Sequence, residues 1–336
     1  MMKALQLQSI GNLELVEVPV PGIGEDELLI RTEAAVICTS DLTDIRSNPF
    51  GITLPIIMGH EASGLVAAVG SKVKDFKPGD RVATHPVHPC YRCTACNDGL
   101  SHLCLNMGHF AFNRPGTFAE FYTVRQDRAR KIPASLDSKT AALAEPVAVC
   151  LEAFAQARLK AGERLLVLGD GPFGILIAQL AVERGDVEVV IGGHHDWRLA
   201  FAQGATPVNT RKAADPVETL RTAGAGGYHA VIVAVSRADA YHRALKVLHP
   251  RGRAVVFSPV AGDTPVDLTL VHMKELEIVG AVNDLNRFDE AVRLLSKPDC
   301  RLGRIVTHAF PVTDFRQALA LAEGGRDEAM KVALVF

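Results

Sequence analysis

Between residues 164 and 284 wholly apolar segments alternate with amphipathic ones: "RLLVLG", "PFGILIAQLAVERG", "VEVVIGG", "HAVIVAV", "ADAYHRALKVLHP", "GRAVVFSP" and "LEIVGAV". A strand that is apolar along its whole length has no face to show to water. Such strands, separated by helices, imply a parallel sheet covered on both sides, so the fold class is α/β with a doubly wound parallel sheet. A helix in "LEAFAQARLKAG", ending at Gly162, leads into it. Residues 1–148 have a different texture. There "LELVEVPVPG", "ELLIRTEAAVI", "ASGLVAAVG", "DRVATHP" and "TFAEFYTV" are short, broken by Gly and Pro, and alternate in polarity, the pattern of an antiparallel, partly closed β domain. The expected organisation is a β-rich domain over 1–148, a parallel-sheet domain over 149–284, and a terminal segment over 285–336. That last segment reads as a helix in "RFDEAVRLLSK", a strand near "RIVTHAFP", a helix in "FRQALALAEGG" and a strand in "KVALVF".

The first apolar strand of the parallel sheet runs into "GDGPFG", which places Gly169, Gly171 and Gly174 as G-x-G-x-x-G, with Pro172 and Phe173 between, at the start of a helix. In that context the first glycine permits the tight turn, the second lets the backbone approach a pyrophosphate, and the third lets helix and strand pack closely. The helix N-terminus then faces the phosphate charge. This is the signature of a dinucleotide-binding, or Rossmann, domain. NAD sites usually carry Asp or Glu at the end of the second strand, but here "IGGHHDWR" has Gly193 at that point. Without the carboxylate, and with His194, Arg198 and Arg211 nearby, a 2'-phosphate is accommodated, which favours NADP over NAD. The competing arrangement has Asp196 substituting through a shifted loop.

Cys90, Cys93, Cys96 and Cys104 follow the spacing C-x2-C-x2-C-x7-C. The N-terminus lacks a secretory apolar core and cleavage site, and no segment approaches the ~20 apolar residues of a membrane span, so a cytoplasmic location is expected. Thiols stay reduced there, which makes the cluster a metal site rather than two disulfides. Four thiolates close the tetrahedral sphere of a zinc ion, so this zinc holds a lobe, about residues 86–106, and leaves no corner for a substrate. Only Arg92 is basic within the run, against a nucleic-acid-binding ribbon. A net charge of -2 without a basic block likewise excludes nucleic acid and anionic membranes as expected partners and fits a small molecule.

Three further stretches hold metal-ligand residue types: "VICTSD" with Cys38, "MGHE" with His60 and Glu61, and "AEPVAV" with Glu145. Joined to the cysteine run and the glycine loop, they make the chain resemble the zinc-dependent medium-chain dehydrogenases, particularly the polyol and threonine dehydrogenase branch. "CTSD", "GHEASGLVAAVG", "KPGDRV", "TFAEFYTV", "EPVAV", "GDGPFG" and "MKVALVF" carry the likeness nearly end to end. It implies that Cys38 and His60 bind a catalytic zinc, with Glu61 and Glu145 as alternating or joint further ligands, giving two zinc ions per chain. It also implies that the β-rich domain is GroES-like, that the last segment returns to it, that the active site lies in the cleft between domains, and that the protein is a homodimer or homotetramer.

The implied reaction moves a hydride between NAD(P) and a secondary alcohol, polyol, sugar or hydroxy amino acid. Zinc with an open position lowers the pKa of a bound oxygen acid, and the nicotinamide C4 exchanges the hydride. The family's proton relay begins at the Ser or Thr two residues after the ligand Cys, here Ser40. A His usual three residues later is Thr43, and a Gly usual before Ser40 is Thr39; Asp44 or water is left to finish the relay. Cys150 and Cys300 read as packing residues. His85, His88, His102 and His109 read as surface or hydrogen-bonding groups, and Phe50, Phe110 and Phe112 as candidates for lining the substrate site. A zinc-free quinone or enone reductase and a non-catalytic nucleotide-binding zinc scaffold are the competing functions; the first has no use for the Cys38, His60 and Glu145 set, and the intact ligand set disfavours the second.

Overall fold

The computed structural model describes residues 1–325 and 327–336. The chain divides into two compact units, Met1–Ala148 with Leu285–Phe336, and Val149–Asp284.

In the second unit six strands form one parallel sheet. Their spatial order is Thr206–Asn209, Glu188–Gly193, Arg164–Leu168, Tyr228–Val233, Leu248–Val256, Glu277–Gly280. Numbered along the chain, that order is 3-2-1-4-5-6, with the reversal beside the Arg164–Leu168 strand, where such sheets bind their ligand at the strands' carboxyl ends. Leu165, Leu166, Val167, Val231 and Ile232 are all fully buried, which is why these strands are apolar throughout.

The turn after Arg164–Leu168 is set by what its glycines exclude. Gly169 has φ +124°, and a Cβ there would lie 2.7 Å from Ala234 O. A Cβ on Gly174, in the first turn of the Pro172–Arg184 helix, would lie 1.9 Å from Gly169 O. Around Gly171, by contrast, nothing lies within 4 Å of the Cβ position. Two glycines therefore close the turn, and the third leaves open space over the helix N-terminus.

The first unit is built on a seven-stranded sheet. Its path runs Ala129–Lys131, Arg81–Thr84, Glu61–Val69, Glu27–Val36, Lys331–Val335, Val306–Pro311, with Phe121–Arg125 also pairing with Glu27–Val36. The last strand of the chain thus adds antiparallel to Glu27–Val36, with Ala333 opposite Val36, while Val36 lies opposite Glu61. Directly opposed residues share a face, and so do residues two apart on one strand. The register therefore puts Lys331 and Glu61 on one face of the sheet.

Two elements differ from the sequence reading. The helix expected from Leu151 begins at Ala144 and ends at Gln156, so "EPVAV" forms its first turns; Pro146 near the N-terminus is compatible because the first N–H groups of a helix need no internal partner. A helix also follows Cys38, spanning Thr39–Ser47, where polar residues hid the apolar periodicity. Among the described residues no helix is long and apolar enough to cross a membrane.

The contrast between two of the glycines gives a test. Gly174→Ala should lower stability by about 1–3 kcal/mol, the usual cost of overpacking, in urea unfolding followed by the fluorescence of Trp197, the chain's one tryptophan. Gly171→Ala, with φ −74° and open surroundings, should keep stability within about 0.5 kcal/mol. It should instead weaken dinucleotide binding, because its methyl enters the space the pyrophosphate needs.

Candidate active site

The Thr39–Ser47 helix starts from Cys38, whose backbone N–H donates to Asp41 Oδ2 at 2.9 Å. The other oxygen, Asp41 Oδ1, lies 3.2 Å from His60 Nδ1. A carboxylate accepts, so Nδ1 carries the hydrogen, and Nε2 is the nitrogen that a metal would meet once it displaces the second proton. One buried side chain thereby sets the position of one ligand's backbone and the tautomer of another. Asp41 was not singled out from sequence, although its place three residues after a helix N-cap is a capping-box signal.

Cys38, His60 and Glu61 each offer a donor atom within 4.8 Å of the others, and all three residues are buried. His60 is delivered there by Gly59, which has φ +90° and whose Cβ would lie 2.2 Å from the Phe118 ring. Burial opposes a charged imidazole, yet Asp41 and Cys38 outweigh it and hold the His60 pKa well above its ordinary value. Both Glu61 oxygens accept from Lys331 Nζ, one at 2.6 Å. Burial likewise opposes the Lys331 charge, but the Glu61, Cys38 and Glu145 charges raise its pKa. Lys331, like Asp41, is a residue of the site that sequence reasoning missed, lying 270 positions from its partner.

The charges fit a metal ion. Asp41, Asp44 and Glu61 are all at least nine-tenths buried, and Lys331 is the buried lysine beside them. Uncompensated buried carboxylates are costly, and a dication on the Cys38, His60 and Glu61 donors supplies the missing positive charge. Glu145 lies outside the donor set within 4.8 Å, though close enough to act on Lys331. Ser40 is half-buried on the first turn of the Thr39–Ser47 helix. The Thr43 hydroxyl donates to Thr39 O at 3.0 Å, holding its proton within the helix. One turn beyond Ser40, Asp44 Oδ1 is buried without a partner, and burial, reinforced by Asp41 and opposed by His60, lifts its pKa to about 6.

The cysteine run gathers as expected. All four sulfurs lie within 4.8 Å of one another, with Cys93 Sγ 3.5 Å from Cys96 Sγ and 3.8 Å from Cys104 Sγ. These separations are far beyond the ~2.05 Å of a disulfide. They match the ~3.8 Å edge of a tetrahedron with ~2.3 Å zinc–sulfur arms. The Arg92 N–H, above all, holds the Cys90 thiol down at about 6, favouring the thiolate a metal needs.

At the dinucleotide loop, Asp170 fills the place left by the missing second-strand carboxylate. A Cβ on Gly193 would lie 2.5 Å from Asp170 Cβ. Asp170 Oδ2 accepts from His194 N at 2.6 Å and His195 N at 2.7 Å, and lies 3.0 Å from His195 Nδ1. Asp196 pairs instead with Asn209 Nδ2, at 2.6 Å, and with Lys212 Nζ. Arg211 is exposed, and its charge with that of Arg243 lowers the His194 pKa after burial has done so. Arg198 lies in the short Asp196–Leu199 helix, and Phe173 packs against Phe257 at 5.4 Å between centroids.

The aromatic readings need correction, and the histidine reading narrows to one of its alternatives. Phe110 is core, edge-on to His88 at 4.9 Å and to Tyr122 at 5.7 Å, so it lines no substrate site. Phe50 and Phe112 are exposed. His85, His88 and His102 are buried, which leaves the hydrogen-bonding alternative: His85 Nδ1 accepts from Val87 N at 3.0 Å, and His88 Nδ1 lies 2.9 Å from Pro86 O. His109 is half-buried beside His60, and burial, then the His60 charge, pushes its pKa down to about 4. Cys150 is fully buried, while Cys300 is half-buried.

Residues 24–134 match the family model described as "Alcohol dehydrogenase GroES-like domain", and residues 172–297 that described as "Zinc-binding dehydrogenase". The chain is 31% identical to sorbitol dehydrogenase of Bacillus subtilis over 98% of its own length and 96% of the relative's. It is also 31% identical to D-altritol 5-dehydrogenase of Agrobacterium fabrum, over 93% of this chain and 94% of that one. Galactitol-1-phosphate dehydrogenase from Escherichia coli superimposes with a TM-score of 0.90 at 26% identity, covering 100% of both chains.

Two substitutions test the electrostatics of this site. Lys331→Met should cost about 3–5 kcal/mol in chemical unfolding, because it strands the Glu61 charge in the core, and adding Glu61→Gln should recover much of that loss. For Asp44 the sign follows from its raised pKa. The folded state binds the extra proton between the ordinary carboxyl value of 3.8 and about 6, so the group costs stability as pH rises through that window. Asp44→Asn should therefore gain about 1–2 kcal/mol at pH 8, and the gain should fade below pH ~4 in melts taken across pH.

Proposed function

We propose that this chain, which belongs to the zinc-dependent medium-chain dehydrogenase family, is an NAD(P)-dependent enzyme oxidising a secondary alcohol, polyol, sugar or hydroxy amino acid at a zinc site formed by Cys38, His60 and Glu61. The observation that carries this reading is the clustering of those three buried donors, with the His60 tautomer set by Asp41. A zinc ion bound there supplies Lewis-acid polarisation of the substrate's oxygen. Lys331 holds Glu61 by both oxygens, and Glu145 stands near enough to Lys331 to exchange roles with Glu61. A quinone or enone reductase has no use for such a donor set.

The chain's own residues move the proton. Ser40 takes it from the substrate hydroxyl, and Asp44, one helical turn on with an unpartnered oxygen, accepts it in place of the histidine that Thr43 replaces. A carboxylate whose pKa is lifted to about 6 is ionised at neutral pH yet basic enough to be protonated transiently. The Gly169–Gly174 loop and the Pro172–Arg184 helix, with Pro172 and Phe173 in its first turn, receive the pyrophosphate. NADP is the preferred cofactor. Gly193 offers no carboxylate, Asp170 Oδ2 is occupied by three donors of the following turn, and Arg198 and Arg211 supply positive charge, with His194, its pKa lowered by burial, as a neutral hydrogen-bonding group beside them. The four-cysteine lobe holds a second, structural zinc. The working form is a cytoplasmic homodimer or homotetramer.

Elemental analysis of the purified protein should find two zinc ions per chain, falling to one in Cys38→Ser with the fold retained by circular dichroism. That variant should lose at least about a thousandfold in kcat/KM, as expected for the loss of several kcal/mol of charge stabilisation. A spectrophotometric panel of polyols, aldoses and secondary alcohols should give the higher kcat/KM with NADP+, and Arg211→Ala should narrow its lead over NAD+. One zinc per chain in the wild type, or no hydride transfer to either cofactor, would overturn the reading.

A further inference from the structure

Beside the metal donors stands a histidine that this mechanism does not use. His109 ends the short Gly108–His109 strand, its ring centroid 5.8 Å from that of His60. It is not among the donor atoms within 4.8 Å, so it is a neighbour of the metal site rather than one of its ligands.

The position of His109 is heavily constrained. The N–H groups of Phe112, Asn113 and Arg114 all donate to His109 O, at 3.3, 3.2 and 3.1 Å. Asn113 Oδ1 accepts from His109 N at 2.7 Å, and Asn113 Nδ2 donates to Met107 O at 2.8 Å. The loop is then laced to the segment that delivers His60: Gly116 N donates to Ile57 O at 2.8 Å, Phe118 N to Met58 O at 2.8 Å and Thr117 N to Gly59 O at 2.9 Å. A Cβ on Gly116 would lie 2.3 Å from Met58 O, so the two segments touch backbone to backbone.

The tautomer is constrained as well. His109 Nδ1 lies 2.6 Å from Phe110 O, and a carbonyl oxygen only accepts, so Nδ1 carries the hydrogen. In the neutral ring this leaves Nε2 as a lone pair, and no group of the described residues donates to it. The residue is half-buried, so the lone pair is not sealed away. A rigid acceptor one ring away from a metal ligand is too far to share the ion and well placed to meet a second oxygen of the molecule bound there.

We propose that His109 Nε2 contacts the substrate, accepting a hydrogen bond from a hydroxyl on the carbon next to the one oxidised, so that the site selects vicinal diols and polyols over simple secondary alcohols. The inference rests on the functional reading above and narrows its substrate class. Selection follows because an alcohol lacking that hydroxyl leaves a half-buried acceptor unpaired, and sites built to bind a hydroxyl reject the analogue without it.

The test compares kcat/KM for 2,3-butanediol and 2-butanol in the wild type, His109→Phe and His109→Gln, with zinc content measured in each. The diol-to-monool ratio should favour the diol in the wild type and fall about 10- to 100-fold in His109→Phe. It should recover largely in His109→Gln, whose amide oxygen accepts, with zinc retained in both variants. An unchanged ratio, or loss of zinc, overturns the proposal while leaving the alcohol dehydrogenase reading standing; a wild type inert to both alcohols overturns the two together. Long-range 1H–15N spectra of the wild type give a test independent of variant folding: a pyridine-type Nε2 resonance supports the proposal, and a protonated Nε2 overturns it.

Discussion

The placement of three carboxylates, Asp41, Asp44 and Glu61, in the interior beside one lysine is the constraint on which the rest of this structure turns. Burial of an ionised carboxylate costs several kcal/mol unless hydrogen bonds or opposite charge offset it. Asp41 meets that requirement with two hydrogen bonds, and in doing so it ties Cys38 to His60. Glu61 meets it with Lys331. Asp44 does not, which leaves its Oδ1 as the weakest polar position of the group. A chain selected for stability alone has no reason to keep that arrangement. Metal binding and proton transfer would give it one, since both need anionic groups that the fold alone does not fully satisfy.

The Glu61–Lys331 pair also explains why the last strand matters to chemistry. Lys331–Val335 enters the sheet against Glu27–Val36, the strand that ends two residues before Cys38. The same pairing that completes the sheet brings the lysine to the metal donors, so closure of the fold and the charge balance of the site are one event. On the proposed reading, Lys331 and a metal ion would compete for the same two oxygens of Glu61. The cysteine lobe holds no such pair: four thiolates are enough to close the coordination sphere of one ion without a competing cation.

What the sequence reveals depends on whether the determinant is local. The parallel sheet was legible because buried strands are apolar over their whole length, and the glycine turn because its spacing encodes steric exclusions a few residues apart. The cysteine lobe was legible for the same reason. Asp170 was not. Its role appears only when the Arg164–Leu168 and Glu188–Gly193 strands lie side by side and the void above Gly193 can be seen to be filled by another residue's side chain. Lys331 was hidden by a separation of 270 residues, and the Thr39–Ser47 helix by its polar composition. Phe110 shows the opposite error: an aromatic near candidate site residues invites a functional reading, but its ring belongs to the core.

His109 brings these threads together, because an ordinary loop residue becomes a chemical group only through what holds it. Three N–H groups on its carbonyl, a buried Phe110 next in sequence and the backbone lacing at residues 116–118 remove the freedom a loop usually keeps. The cost of ordering that loop is met during folding, before any substrate arrives. A substrate then loses less entropy on binding than it would against a mobile side chain, and this is what lets a single hydrogen bond discriminate between alcohols. The metal donors sit at the start of a helix and the start of a sheet strand, where little can vary without loss of the fold. The residue beside them stands where the chain leaves a short strand for a loop, its backbone fixed by hydrogen bonds and its ring outside the donor set, so substrate choice can change at position 109 without altering the donors at Cys38 and His60.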